Sequence, residues 1–311
     1  MANLASRMKN LQIRGQVISW TVSSLLGEKR LSSYLNEDIC FSKRLIKLAK
    51  SSDGLILVNG KHRTVRYLIT EGDHIVIKLP DEINNTSLKA TQIPLEIIYE
   101  DDHLMVLNKV AGRVSVPSST DQETSLANGI LYYYLLKNLP YTVHIVTRLD
   151  RDTSGLVLVA KHQYAHSLLA NLQLKNEIKR VYIGFIKGHL KESHGVINQP
   201  IGRTNDSIIK REVNNRGRKA ITYYKVLKEY LNHTAIQIKL ETGRTHQIRV
   251  HFAHIGHPLL GDDLYGNVSK YIKRQALHCK TLKFTHPITQ EKLQINAPLP
   301  KDFLEMIDKI S

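Results

Sequence analysis

The sequence predicts an α+β protein, with a larger module built on a mostly antiparallel mixed sheet preceded by a small α+β module. Three observations carry this. The chain has 311 residues, more than one domain's usual share, and 42% of them are hydrophobic, enough for sizeable cores. A polar, turn-rich stretch, Leu79-Pro80-Asp81-Glu82-Ile83-Asn84-Asn85-Thr86-Ser87, reads as a linker, placed at 81–92 between modules at 1–80 and 93–311. Beyond it β-rich runs follow one another with few helices between them. That is not regular βαβ alternation, so a parallel doubly wound sheet is not expected.

The elements follow in order. Ser42-Lys43-Arg44-Leu45-Ile46-Lys47-Leu48-Ala49-Lys50 has apolar residues at 45, 48 and 49, which predicts a helix with a basic outer face. Leu55-Ile56-Leu57-Val58-Asn59-Gly60 and Gly72-Asp73-His74-Ile75-Val76-Ile77 predict short strands beside Asn-Gly and Gly-Asp turn signals. After the linker, Ile97-Ile98-Tyr99 and Leu104-Met105-Val106-Leu107 predict two strands. Residues 155–160 are apolar on both faces and predict a central strand. Leu168, Leu169 and Leu172 fall at helical spacing. Residues 181–186, 223–227 and 234–240 predict further strands, and Ile248, Phe252 and Ile255 mark one face of a short helix starting near Thr245.

The charge narrows the partners. Lys and Arg number 44 against 28 Asp and Glu, a formal charge of +16. Such an excess attracts polyanions, with nucleic acid first and an acidic membrane surface second. The termini show neither a basic amphipathic helix nor a lipidation signal, and no apolar run approaches the ~20 residues of a membrane span, so no membrane role is expected. The start, MANLASRMKNLQIRG, lacks a signal peptide's apolar stretch. The only cysteines, Cys40 and Cys279, lie far apart, which excludes a disulfide scaffold and a CxxC zinc site and suits a reducing cytoplasm. There is no phosphate-binding G-x-x-x-x-G-K-[ST] loop or dinucleotide G-x-G-x-x-G, so no nucleotide cofactor is expected. Neither G-x-S-x-G nor H-E-x-x-H occurs.

Three segments could carry chemistry. Val146-Thr147-Arg148-Leu149-Asp150-Arg151-Asp152-Thr153-Ser154-Gly155 packs two Asp and two Arg into five residues directly before the central strand. Charges this dense beside a buried strand are costly unless paired or functional. A carboxylate held by arginines stays ionised, as a nucleophile requires; the plainer alternative is a turn with solvated charges. In Lys179-Arg180-Val181-Tyr182-Ile183-Gly184-Phe185, alternation puts Tyr182 and Gly184 on one face, where a ring beside a gap could hold a planar base; ordinary strand packing is the alternative. The third segment spans residues 241–258 and contains TGRTHQIRVHFAHIGHP. Arg249 lies beside the inward stripe and, if buried, needs a carboxylate partner. His246, His251, His254 and His257 invite a metal reading. Gly256 and Pro258 should end the helix first, and no Cys or acidic residue completes a ligand set, so no metal is expected.

In this order these segments resemble the RluA/RluD-type family of RNA pseudouridine synthases. RLDRDTSGLVLVAK is the most specific match. Lys-Arg-Val-Tyr182, Asn198-Gln199-Pro200-Ile201-Gly202-Arg203, Gly217-Arg218-Lys219-Ala220-Ile221-Thr222-Tyr223, TGRTHQIRVH, His257-Pro258-Leu259-Leu260-Gly261-Asp262 and the entry Pro94-Leu95-Glu96-Ile97-Ile98-Tyr99-Glu100-Asp101 support it. The resemblance covers residues 93–300. Residues 25–80, with a basic helix, VNGK and EGDHIVI, resemble the S4 RNA-binding domain, leaving an N-terminal extension before it. Two departures stand out: Thr147 where the family often has His, and Val110 where it usually has Pro.

The resemblance implies a pseudouridine-synthase-like catalytic fold and an isomerisation of uridine that needs no cofactor. It implies that Asp150 is the essential carboxylate, acting on the sugar, on the base or as a base. Tyr182 would lie against the target base, and Arg249 would pair with Asp150. Arg148 would take the space of a flipped nucleotide. Arg151, Arg244 and His246, with Lys43, Arg44 and Lys47 of the S4-like module, would contact RNA. The expected partner is ribosomal RNA of the large subunit, with transfer RNA open; a cytoplasmic monomer is the default. The rival readings are a non-catalytic RNA-binding or ribosome-assembly factor and, resting only on the histidines, a metal-dependent nuclease. Asp150, Tyr182 and Arg249 together favour the enzyme.

Overall fold

A computed structural model describes residues 7–24, 27–82, 88–117, 124–139, 141–204, 207, 209–266 and 268–310. Residues 83–87, the middle of the expected linker, lie outside the described residues, as do residues 1–6 of the N-terminal extension.

The N-terminal module is an antiparallel sheet with short helical turns on one side. Its elements are β1 (Met8–Arg14), β2 (Val17–Val22), β3 (Lys29–Arg30), α1 (Lys43–Ala49), β4 (Leu55–Val58), β5 (Lys61–His62), β6 (Leu68–Ile69) and β7 (His74–Lys78). Five strands form one sheet in the order β1-β2-β7-β4-β5, and β3 pairs with β6. The helix and the two later strands stand where the sequence placed them. The first two strands were not foreseen. Alternation over Val17-Ile18-Ser19-Trp20-Thr21-Val22 buries Ile18, Trp20 and Val22, so part of the expected extension is built into the sheet. Ser42 caps α1 through Oγ, which accepts from the Leu45 amide. Trp20, Tyr34 and Phe41 fill the core, with Trp20 Nε1 donating to the Tyr34 hydroxyl at 3.2 Å.

The second module contains β8 (Ile97–Glu100), β9 (Leu104–Lys109), α2 (Leu126–Leu136), β10 (His144–Ile145), β11 (Ser154–Ala160), α3 (Gln163–Leu174), β12 (Lys179–Lys187), β13 (His194–Asn198), β14 (Ile201–Arg203), β15 (Arg211–Val213), β16 (Ile221–Tyr230), β17 (His233–Leu240), α4 (Gln247–His254), β18 (Leu277–Thr285), β19 (Lys292–Asn296) and α5 (Lys301–Ile310). The main path of the sheet is β13-β16-β17-β12-β18-β11-β9-β8. Strand β10 pairs with β11 and β19 with β18. The β11–β18 pair is parallel and the other pairs are antiparallel, so the sheet is mixed but mostly antiparallel, as expected. Every residue of β11 is buried, in keeping with its unbroken apolar run.

The modules share a core. Tyr164 and Leu168 of α3 enter the N-terminal cluster, and the Tyr164 hydroxyl donates to the Ile39 carbonyl at 3.1 Å. Ser167 donates to the Cys40 carbonyl and accepts from the Ser42 amide. The linker is tied at its start: Glu82 accepts from the Thr142 amide and hydroxyl, the Gln163 amide and His144 Nε2.

At the mouth of the central strand, Gly155 has φ +113°, and a Cβ there would come within 2.3 Å of the Cys279 carbonyl oxygen. Only glycine permits this parallel approach of β11 to β18. Gly155→Ala is expected to cost about 3 kcal/mol or more, read as a fall in the urea unfolding midpoint.

Candidate functional site

The charged segment before β11 forms a turn whose backbone is bound at almost every residue. The Ser115 hydroxyl donates to the Leu149 carbonyl at 3.0 Å and accepts from the Leu149 amide at 3.1 Å. The Asp150 carbonyl accepts from the Thr153 amide. The Arg151 carbonyl accepts from Lys109 Nζ at 2.9 Å and from the Arg113 amide. Arg274 donates to the Asp152 carbonyl and to the Ser154 hydroxyl, and holds Asp302 of α5. The side chain of Asp150 is thereby aimed while its carboxylate accepts no hydrogen bond from the described residues.

Lys109, at 1% exposure, is central to this turn. Its Nζ donates to the carbonyls of Val110, Arg113 and Arg151, three acceptors for the three N–H bonds of an ammonium. Burial pushes its pKa down to about 7, opposed by the charges of Asp152 and Asp150. Thr147, one of the departures from the family pattern, is buried and accepts the Leu158 amide through Oγ1 at 2.9 Å, so it stitches the same segment to β11.

The turn opens onto a cavity of about 410 Å³. Asp150, Tyr182 and Arg249 line it, and so do Arg148, Arg151, Arg244 and His246. Sequence residues 100 positions apart meet here because β11, β12 and the start of α4 end at one rim. The RNA-contact candidates Lys43, Arg44 and Lys47 do not join them; they lie on α1 in the other module.

Tyr182 is 3% exposed, and burial raises its phenol well above the ordinary value, so it stays neutral. The gap foreseen at Gly184 is filled: a Cβ there would meet Ile238 at 3.1 Å and Leu259 at 3.3 Å. Glycine serves close packing of strands, and the open space lies on the Arg180 side of Tyr182 instead. Arg180 also lines the cavity, and among the described residues its guanidinium has no ion pair. Gly243 makes room for it, since a Cβ at 243 would stand 2.7 Å from Arg180 Nη2. The sequence signal for Arg180 was its place two residues before Tyr182, on the same strand face.

The expected Arg249–Asp150 pair is not formed. Arg249 Nε and Nη2 donate to the two oxygens of Asp262 at 2.8 and 2.7 Å. Asp262 is fully buried, and Oδ1 also accepts from the amides of Leu264 and Tyr265. The partner comes from the Gly261-Asp262 turn, whose carboxylate is pre-oriented by backbone amides and fits the guanidinium fork. Burial works against the Arg249 charge, but Asp262 outweighs it and raises the pKa; Asp150 acts on Arg249 through space. The guanidinium lies 5.1 Å from the Tyr265 ring centroid. His246, at φ +57° before α4, meets the Tyr265 hydroxyl at 2.8 Å. Burial lowers the His246 pKa, against the pull of Asp150.

The other histidines of that segment part company. His251 faces inward, with Nδ1 to Thr222 and Nε2 to the Gln199 carbonyl. His257 Nδ1 meets the Lys187 carbonyl, and His254 is exposed.

Comparison with known proteins shows the family. A family model described as RNA pseudouridylate synthase matches residues 103–254. A Bacillus subtilis (strain 168) protein named "Uncharacterized RNA pseudouridine synthase YjbO" is 46% identical over 270 residues, 87% of this chain and 95% of that protein. The "Ribosomal large subunit pseudouridine synthase D" of Pseudomonas aeruginosa is 39% identical over 271 residues, 82% of this chain and 83% of that protein. Among solved structures, "Human RNA Pseudouridylate Synthase Domain Containing 1" matches with a TM-score of 0.56 and 26% identity, over 67% of this chain and 84% of that one.

Lys109→Met keeps the side-chain volume but removes the donor shared by three carbonyls. It is expected to cost about 2–4 kcal/mol, read by urea unfolding, and to speed hydrogen exchange at the Thr153 amide.

Proposed function

Because the chain belongs to the RNA pseudouridylate synthase family and is an RNA pseudouridine synthase, an isomerase, we propose that it converts uridines of large-subunit ribosomal RNA with Asp150 as the essential carboxylate. The observation that carries the site is the aimed carboxylate of Asp150, which accepts no hydrogen bond from the described residues and is held in the wall of a cavity lined by cations. Support for the substrate comes from the relative named for the ribosomal large subunit, aligned over most of both chains.

The reaction breaks the N1–C1′ bond of uridine and forms a C5–C1′ bond. The hydrogen on C5 leaves as a proton, and N1 gains one, so atoms balance with no co-reactant. Asp150 engages the nucleotide whose glycosidic bond breaks. Tyr182 packs against the base as a neutral ring at the bottom of the cavity. Arg249, fixed by Asp262, keeps a positive charge facing Asp150 without withdrawing it into a hydrogen bond. That differs from a direct pair: the carboxylate stays open to the substrate. Arg148 is exposed at the rim, where it stacks in the space a flipped base leaves. Arg151, Arg244 and His246 border the same opening and meet the RNA. The N-terminal module, in the S4-like reading, holds RNA through Lys43 and Lys47 on the outer face of α1.

The test is tritium release from a large-subunit ribosomal RNA transcript carrying 5-³H-uridine. Wild type is expected to release tritium, and Asp150→Asn to lower the rate by on the order of 10³-fold or more. Equal rates would overturn the role of Asp150. Release from transfer RNA alone would overturn the ribosomal assignment and leave the chemistry standing.

A further inference from the structure

We propose that the groove between the two modules is a phosphate subsite for the RNA strand entering the cavity, with Arg44 and His166 as its ligands. The inference deepens the reading of this protein as an RNA enzyme and rests on it for the nature of the strand.

The groove has a volume of about 520 Å³ and runs between α1 and α3. Arg44 enters it from α1, and His166 from α3. Among the described residues, the Arg44 guanidinium has no ion pair and the His166 ring nitrogens make no hydrogen bond. Two groups with spare donors therefore face one opening. The nearby acid, Glu82, does not line the groove: its carboxylate is held by Thr142, His144 and the Gln163 amide. His144 stacks on His166, with ring centroids 5.1 Å apart, and fixes the ring's orientation.

Two segments border both the groove and the active cavity. Leu174 lines the groove while its neighbour Gln173 lines the cavity. His144 lines the groove while Val146 lines the cavity. Along α3, His166 and Gln173 are about 10 Å apart at 1.5 Å per residue. That span equals a few nucleotides. A strand with its target base in the cavity thus carries a neighbouring phosphate past Arg44 and His166. The shared core of Tyr164 and Leu168 with the N-terminal module keeps the groove's two walls in register.

Protonation belongs to the same argument. The groups acting on His166 are His144 from β10, Arg44 from α1 and Glu82 from the start of the linker, and His162 lies one turn earlier as the N-cap of α3. Burial, then His144 and Arg44, lower the His166 pKa, while Glu82 raises it. A phosphate adds negative charge and raises it further, so binding takes up a proton and tightens as pH falls.

Binding of a fluorescent oligouridine strand, followed against salt and pH, tests this. Arg44→Ala is expected to weaken binding about fivefold and to lower the slope of log affinity against log salt by about one. Arg44→Lys restores most of the slope, and Lys309→Ala, on the terminal helix, serves as the charge-matched control with the wild-type slope. His166→Gln is expected to lose the tightening between pH 7.5 and 6 that wild type and Arg44→Lys retain. Melting curves confirm that the variants fold. A wild-type salt slope in Arg44→Ala, or an unchanged pH response in His166→Gln, overturns the subsite. Absence of tritium release from wild type strikes the enzyme reading instead and leaves these binding results interpretable.

Discussion

One buried lysine orders the site. Lys109 reaches the carbonyls at the ends of two separate loops, 110–113 and the turn around Arg151, and joins them at one point. Burying a charge this deeply is unfavourable unless its donors are all used. Here three carbonyls use them, and Asp150 and Asp152 supply the countercharge through space. The result is a rigid turn that needs no contact with the Asp150 side chain itself. A carboxylate can be oriented by its backbone and still be left open.

The same division appears at Arg249. A cation facing a reactive carboxylate could simply bind it, and the pair would then have to break for catalysis. Asp262 removes that conflict by engaging two edges of the guanidinium, Nε and Nη2, while backbone amides hold its Oδ1 in place. Charge stays near Asp150 while hydrogen bonds stay elsewhere. In a cavity partly shielded from water, such a field is stronger at a given distance than in bulk water.

The two modules are coupled through polar as well as apolar contacts. Glu82 caps the amide of Gln163 at the start of α3 and binds His144 of β10. Both elements run on to the cavity. The attachment of the basic module is thus made through the segments that border the reaction site, and this is why a groove between modules can serve the strand that the cavity acts on.

Much of this was legible in the sequence. The 155–160 run, apolar on both faces, pointed to a central strand, and the dense charges before it marked either a functional turn or a solvated one. The alternation of 181–185 set Tyr182 apart from Val181 and Phe185. Composition pointed to a polyanion partner. Tertiary structure decided what periodicity does not encode. Alternation tells which face Gly184 occupies, but not that Ile238 and Leu259 fill the space before it. A buried Arg249 demands a carboxylate, yet sequence spacing cannot choose between Asp150 and Asp262, because the choice depends on which acid arrives with its lone pairs already set by backbone amides. Lys109 and Arg180 were visible as letters only; their parts depend on carbonyls and a glycine far along the chain. Local pattern determines elements and their faces, whereas the partners of charges are settled by long-range packing, where a few tenths of an ångström separate a hydrogen bond from an open group.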